Sequence, residues 1–165
     1  MNKVLRSLIF LQIGLAAVFL GGCSGGGSQG IHQARGAAAA AIQSEPPGNY
    51  YVGRRYYKRD FKFWGYVRRP GQPWSTAQLV MLNENKKLAP DRAIEQFGSD
   101  NNYEYKLFGS FSGEKVYEPA SNGIYPEFVL ENYELISRTP PPIFKSQQDP
   151  RAQAAVGRLT IERPQ

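Results

Sequence analysis

Phe61-Lys62-Phe63-Trp64-Gly65-Tyr66-Val67-Arg68 decides the fold: Phe61, Phe63, Gly65 and Val67 alternate with Lys62, Trp64, Tyr66 and Arg68. A period of two is the mark of a β-strand, whose successive side chains point to opposite faces. The strand ends at Arg69-Pro70-Gly71-Gln72-Pro73, where two prolines and a glycine spell a turn.

Working outward, Leu79-Val80-Met81-Leu82 is apolar on both faces, as in a strand covered on both sides. Tyr103, Tyr105, Leu107, Gly109 and Phe111 alternate with Glu104, Lys106 and Ser110. Ser112-Gly113 reads as a tight turn into a short strand at Lys115-Val116-Tyr117. A last strand holds Phe128, Leu130, Tyr133, Leu135 and Ile136, with a phase slip near Asn132 of the kind a bulge produces. Glu118 to Pro126 is predicted to be a long turn, with Asn122-Gly123 tolerating positive φ. A short helix is expected after Pro90, with Asp91 as its cap, Ala93, Ile94 and Phe97 as its apolar face, and Gly98 at its C-terminal end.

Five strands and one short helix within residues 50–137 predict a mainly β fold, a small and strongly bent five-stranded barrel. It resembles OB-like barrels in architecture, though a short β-sandwich or an SH3-like barrel has the same inventory. The flanks differ in composition. Residues 23–49 are rich in Gly, Ala, Ser and Gln and read as a flexible tether, with a helical turn or two at Ala37 to Ala41. His32 falls there as a solvated linker residue. Residues 138–165 open with Arg138-Thr139-Pro140-Pro141-Pro142 and read as a mobile, proline-rich tail, in which Ala154 to Ile161 is the part able to dock.

The N-terminus carries Lys3 and Arg6, then an apolar run from Leu8 to Leu20, then Leu20-Gly21-Gly22-Cys23-Ser24. The run is about 13 residues, short of the ~20 needed to span a bilayer core. Charge, length and the small residues before the cysteine together resemble a bacterial lipoprotein signal with its lipobox. The resemblance implies that residues 1–22 are removed and that Cys23 is lipidated, with palmitate among its acyl chains. It also implies that the mature chain is held in the cell envelope, at the outer membrane where the organism has one, since Ser24 rather than Asp follows the cysteine. The processed chain loses Lys3 and Arg6 and carries a net charge of +4 instead of +6.

One cysteine excludes an internal disulfide, and one histidine excludes a multi-histidine metal centre; no cofactor and no metal is implied. The charge is distributed in blocks. Residues 54–69 hold seven bases against Asp60, while Glu84 to Glu134 hold ten acids against five bases. If Phe61, Phe63 and Val67 face the core, then Lys62, Trp64, Tyr66 and Arg68, with Trp74 nearby, form a basic aromatic face. Cations interleaved with rings suit an anionic polymer, a glycan or an acidic protein, and the same pattern serves equally as a second apolar layer with snorkelling arginines. Nucleic acid is not expected as a partner in the envelope. The expected function is a non-enzymatic binding or structural module. The alternative is a small envelope hydrolase using carboxylates, but Glu127 and Glu131 lie ~13 Å apart at strand spacing, wider than glycosidase pairs, unless Glu118 closes the gap. Ser110, Ser112 and Ser121 have no histidine base within residues 50–137.

Overall fold

The computed structural model describes residues 26–58, 61–147 and 162–165. Residues 1–22, which resemble a signal, Cys23, and Ala154 to Ile161 lie outside the described residues, as do the side chains of His32 and Lys62. The chain divides into two compact units, Met1–Arg35 and Gly36–Gln165. Of the first, the described part is the opening of α1, which runs Gly26–Gln43. Among the described residues no helix is long and apolar enough to cross a membrane.

The second unit is built on β1 (Tyr51–Lys58), β2 (Phe61–Arg68), β3 (Gln78–Asn83), β4 (Glu104–Glu118) and β5 (Gly123–Ser137), with the one-turn helix α2 (Pro90–Ala93) between β3 and β4. They close into a barrel in the order β1-β2-β3-β5-β4. All pairs are antiparallel except β3 with β5, where Met81 lies opposite Glu127. This is the expected five-stranded, OB-like closure, and it leaves few free strand edges.

The number five was reached with different strands. β1 was not expected, because Arg54 and Arg55 interrupt its apolar pattern. The predicted turn at Ser112-Gly113 is instead a bulge: Phe111 pairs with Phe128 and Lys115 with Pro126, so β4 carries two extra residues and continues to Glu118. Gly113, at φ 89°, serves a bulge as readily as a turn. Most of the predicted long loop is therefore strand, and the turn shrinks to residues 119–122. The slip near Asn132 is a bulge, since Phe108 faces Asn132 and Gly109 faces Leu130. Gly109 has φ 149°, and a Cβ there would lie 2.0 Å from the Val129 carbonyl oxygen, so only glycine fits.

Inside the barrel, Tyr51, Val67, Val80, Leu82, Tyr105, Leu107, Phe128 and Leu130 form the core. Tyr51, Phe111 and Phe128 meet edge to face at 5.1 to 5.6 Å between centroids. A second apolar layer covers the outside of β1, β2 and β3, made of Tyr50, Val52, Tyr66, Trp74, Ile143 and Phe144, with Ile42 and Leu79 packed on it. β3 is thus covered on both faces, as its sequence predicts.

Pieces of both flanks fall among the described residues. The tether is helical over Gly26–Gln43, in spite of four glycines, with Ala37 to Ala41 supplying the strongest helix propensity. It is then fixed to the barrel at Glu45. The tail is docked by its described residues: Ile143, Phe144 and Pro164 are buried, the Tyr66 hydroxyl donates to the Glu162 carbonyl, and the Gln165 amide donates to the Ile143 carbonyl. Burial of these apolar side chains is opposed by a reduced ordering cost, because a proline-rich chain has less conformational freedom to lose.

α2 is shorter than predicted. Ala89 is its N-cap, Pro90 opens it, and Ile94 and Phe97 stand exposed instead of forming an apolar face. Asp91 is not a cap; it is buried and receives an arginine.

Candidate functional site

The predicted ligand face of β2 is not a surface. Trp64, Tyr66, Arg68 and Trp74 expose only 1%, 3%, 2% and 5% of their area. The alternation is as expected, but the outward side chains lie beneath the second apolar layer. Trp64 stacks on Tyr56 with 8° between planes, meets the Tyr125 ring at 4.9 Å, and donates its indole N–H to Met81 Sδ. Tyr66 packs against Phe144. An extended polymer cannot reach these rings, so the ligand-face expectation is overturned, and the physical reason is the docked tail together with the β4–β5 hairpin.

The cations of this region are consumed by acids from distant parts of the chain. Arg68 makes a two-pronged contact with Glu45, at 2.7 and 2.6 Å, and the Gly71 amide donates to the same carboxylate at 2.9 Å. The Arg68 guanidinium lies 4.5 Å from the Trp74 ring centre and that of Arg54 lies 5.1 Å from it, so one indole carries two cations. Arg54 reaches Glu104 at 2.6 Å and donates to the Pro141 carbonyl at 3.0 Å, tying the tail to β1. Burial pulls its pKa below the ordinary arginine value, against the pull of Glu104.

Arg55 organises the other charged cluster. Its guanidinium meets Asp91 at 2.7 Å and Asp100 at 3.1 Å and donates to the Trp64 carbonyl at 3.3 Å. Its main chain bonds the Tyr103 carbonyl and the Asn102 amide. One strand residue therefore pins the whole connection between β3 and β4. Asp91 also accepts from the Gly98 amide, and Glu84 pairs with Arg92 at 2.7 Å. The block asymmetry of charge noted in the sequence is the trace of these pairings. It set bases and acids in separate blocks but did not pair them, and Glu45 lies outside both.

Burial raises the pKa of Asp100 and of Glu84, outweighing Arg55 and Arg92 respectively. Groups with raised folded-state values bind protons more tightly in the native chain than in the unfolded one. Their contribution is fully present below the unfolded-state values and is lost as pH rises through the folded ones. Acidification from about pH 7 towards the ordinary carboxylate range, about 4, is thus expected to move the urea midpoint upward through these two groups. Glu84→Gln and Asp100→Asn should each flatten that rise; equal pH profiles for wild type and both variants would contradict it.

The carboxylates weighed for catalysis stand apart. Glu127 accepts from Asn83 and Glu131 from Lys86. Glu118 accepts from the Ala120 and Ser121 amides and the Ser121 hydroxyl, closing the hairpin turn. Burial opposes ionisation of Glu118, yet these hydrogen bonds prevail and hold its pKa below the usual value. Among the described residues no group of three or more His, Cys, Asp or Glu side chains could hold a metal ion.

What the sequence did not single out is the free end of the β4–β5 hairpin. Tyr117 and Ile124 sit opposite one another there and expose 56% and 66% of their area. Their signal was present as an apolar pair flanking Asn122-Gly123, but it was hidden by reading that stretch as loop. Comparison with protein-family models, with curated proteins and with solved structures finds no match to this chain.

Proposed function

We propose that the chain is a membrane-anchored envelope lipoprotein whose OB-like barrel is a non-enzymatic binding or structural module. The observation that carries this reading is Leu20-Gly21-Gly22-Cys23 behind a basic start and a short apolar run. The fold is consistent with such a role. Glu45, 22 residues beyond the cysteine, is clamped by Arg68 and Gly71, so the chain that follows Cys23 meets the barrel at a fixed point. Two or three acyl chains hold a protein firmly at a bilayer, where one is marginal.

Changing Cys23→Ala should abolish labelling by radioactive palmitate and move the protein out of the detergent phase on phase partition. Palmitate incorporation that persists in the variant would refute the anchor.

A further inference from the structure

We propose that the tip of the β4–β5 hairpin is a membrane-contacting element, seated in the interfacial layer of a lipid bilayer. Four cross-strand pairs make up the hairpin end: Lys115 with Pro126, Val116 with Tyr125, Tyr117 with Ile124, and Glu118 with Gly123. Facing pairs share a side of the ribbon and successive pairs alternate. The side with Tyr125 and Glu118 turns inward, Tyr125 against the Trp64 ring and Glu118 into its turn. The other side presents Tyr117, Ile124, Pro126 and Lys115 outward.

That outer side has the chemistry of a bilayer interface. Ile124 is the most exposed large apolar side chain among the described residues. Tyr117 offers an amphipathic ring whose hydroxyl donates to Asn122 at 2.9 Å, the arrangement that suits tyrosine to the headgroup level. Lys115 is exposed beside them and can meet lipid phosphate, with Glu114 in the adjoining bulge and Glu118 withdrawn into its turn.

Position selects lipid as the occupant. β4 pairs with β1 through Glu104 to Leu107 and then runs past the start of β1. Its far end therefore lies towards the side where β2 finishes at Arg68 and where Glu45 joins the barrel. The hairpin tip and the entry of the N-terminal chain share one end of the barrel. Cys23 lies 22 residues upstream of Glu45, so on the anchor reading a bilayer is within that length of chain of this end, and to that extent the proposal rests on the anchor reading.

The test uses the full chain reconstituted into vesicles of phosphatidylethanolamine and phosphatidylglycerol, carrying Tyr117→Trp. The two native tryptophans are buried and give a steady background. Emission from position 117 should shift to the blue and be roughly halved by lipids brominated near the headgroup, and the further change Ile124→Ser should remove most of that quenching. Both substitutions are at exposed positions, and an unchanged far-ultraviolet spectrum confirms the fold. Emission that stays red and equally open to aqueous iodide with and without vesicles overturns the proposal. The mass of the same sample separates the two readings. An acylated protein with an unquenched tip refutes the tip alone, and an unacylated protein with a quenched tip refutes the anchor alone.

Discussion

Trp64→Ala should lower the unfolding free energy by about 3–5 kcal/mol, the usual loss for a buried tryptophan. The indole is 1% exposed and touches three elements: Tyr56 of β1 stacks on it, Met81 of β3 accepts its N–H, and Tyr125 of β5 closes over it. Removing it leaves a cavity between Tyr56, held by Tyr66 and Phe144, and Tyr125, held by Ser121, so the walls can collapse into it only in part. A domain of this size holds only about 5–15 kcal/mol in total, so the variant should forfeit a large share of its stability. Urea titration followed by far-ultraviolet circular dichroism reads the effect directly. A loss below about 1 kcal/mol would mean that the ring is at the surface after all, and would restore the ligand-face interpretation.

Arg55→Ala should be of similar size, about 3–5 kcal/mol, for an electrostatic reason. Asp91 and Asp100 are buried with 1% and 3% exposure, and the guanidinium between them is the cation both of them contact. Its removal strands two carboxylates away from water and takes a donor from the Trp64 carbonyl. Arg55→Lys should not rescue, because an ammonium cannot serve both carboxylates and a carbonyl through one planar fork. The triple change Arg55→Met, Asp91→Leu, Asp100→Leu should recover most of the loss, since an apolar cluster of similar volume avoids the desolvation of three charges while forgoing the bonds to the Gly98 amide and the Trp64 carbonyl. If the triple variant were as unstable as Arg55→Ala, shape and not charge would be the determinant.

These two residues also mark where the sequence was legible. The alternation over residues 61–68 identified β2 and its two faces, and Gly109 with the slip near Asn132 identified the bends of a closed barrel. β1 escaped because it buries charge on both sides: Arg54 turns outward beneath the tail and Arg55 turns to the acids of the β3–β4 connection. A strand whose buried apolar pair, Tyr51 and Val52, is followed by a glycine and two buried arginines has no hydrophobic period to detect. Ser112-Gly113 was misassigned because a glycine with positive φ fits a turn and a bulge alike, and only the pairing of Phe111 and Lys115 with β5 distinguishes them.

The sequence alone determined the class of fold, since periodicity and glycine placement act over a few residues and need no distant partner. It also carried the stretch Leu20-Gly21-Gly22-Cys23 that resembles a lipobox, a local pattern by nature. Tertiary structure decided what each face of the sheet is for. A period of two states that the sides of β2 differ, but not which of them meets water, because that depends on whatever chain returns to cover them. Here Ile143, Phe144 and Glu162 return to cover it, the last bonded to Tyr66 from 96 residues away, and Glu45 neutralises Arg68 from 23 residues upstream. Contacts at such separations have no signature in local spacing, so a basic aromatic strand that reads as a surface became an interior.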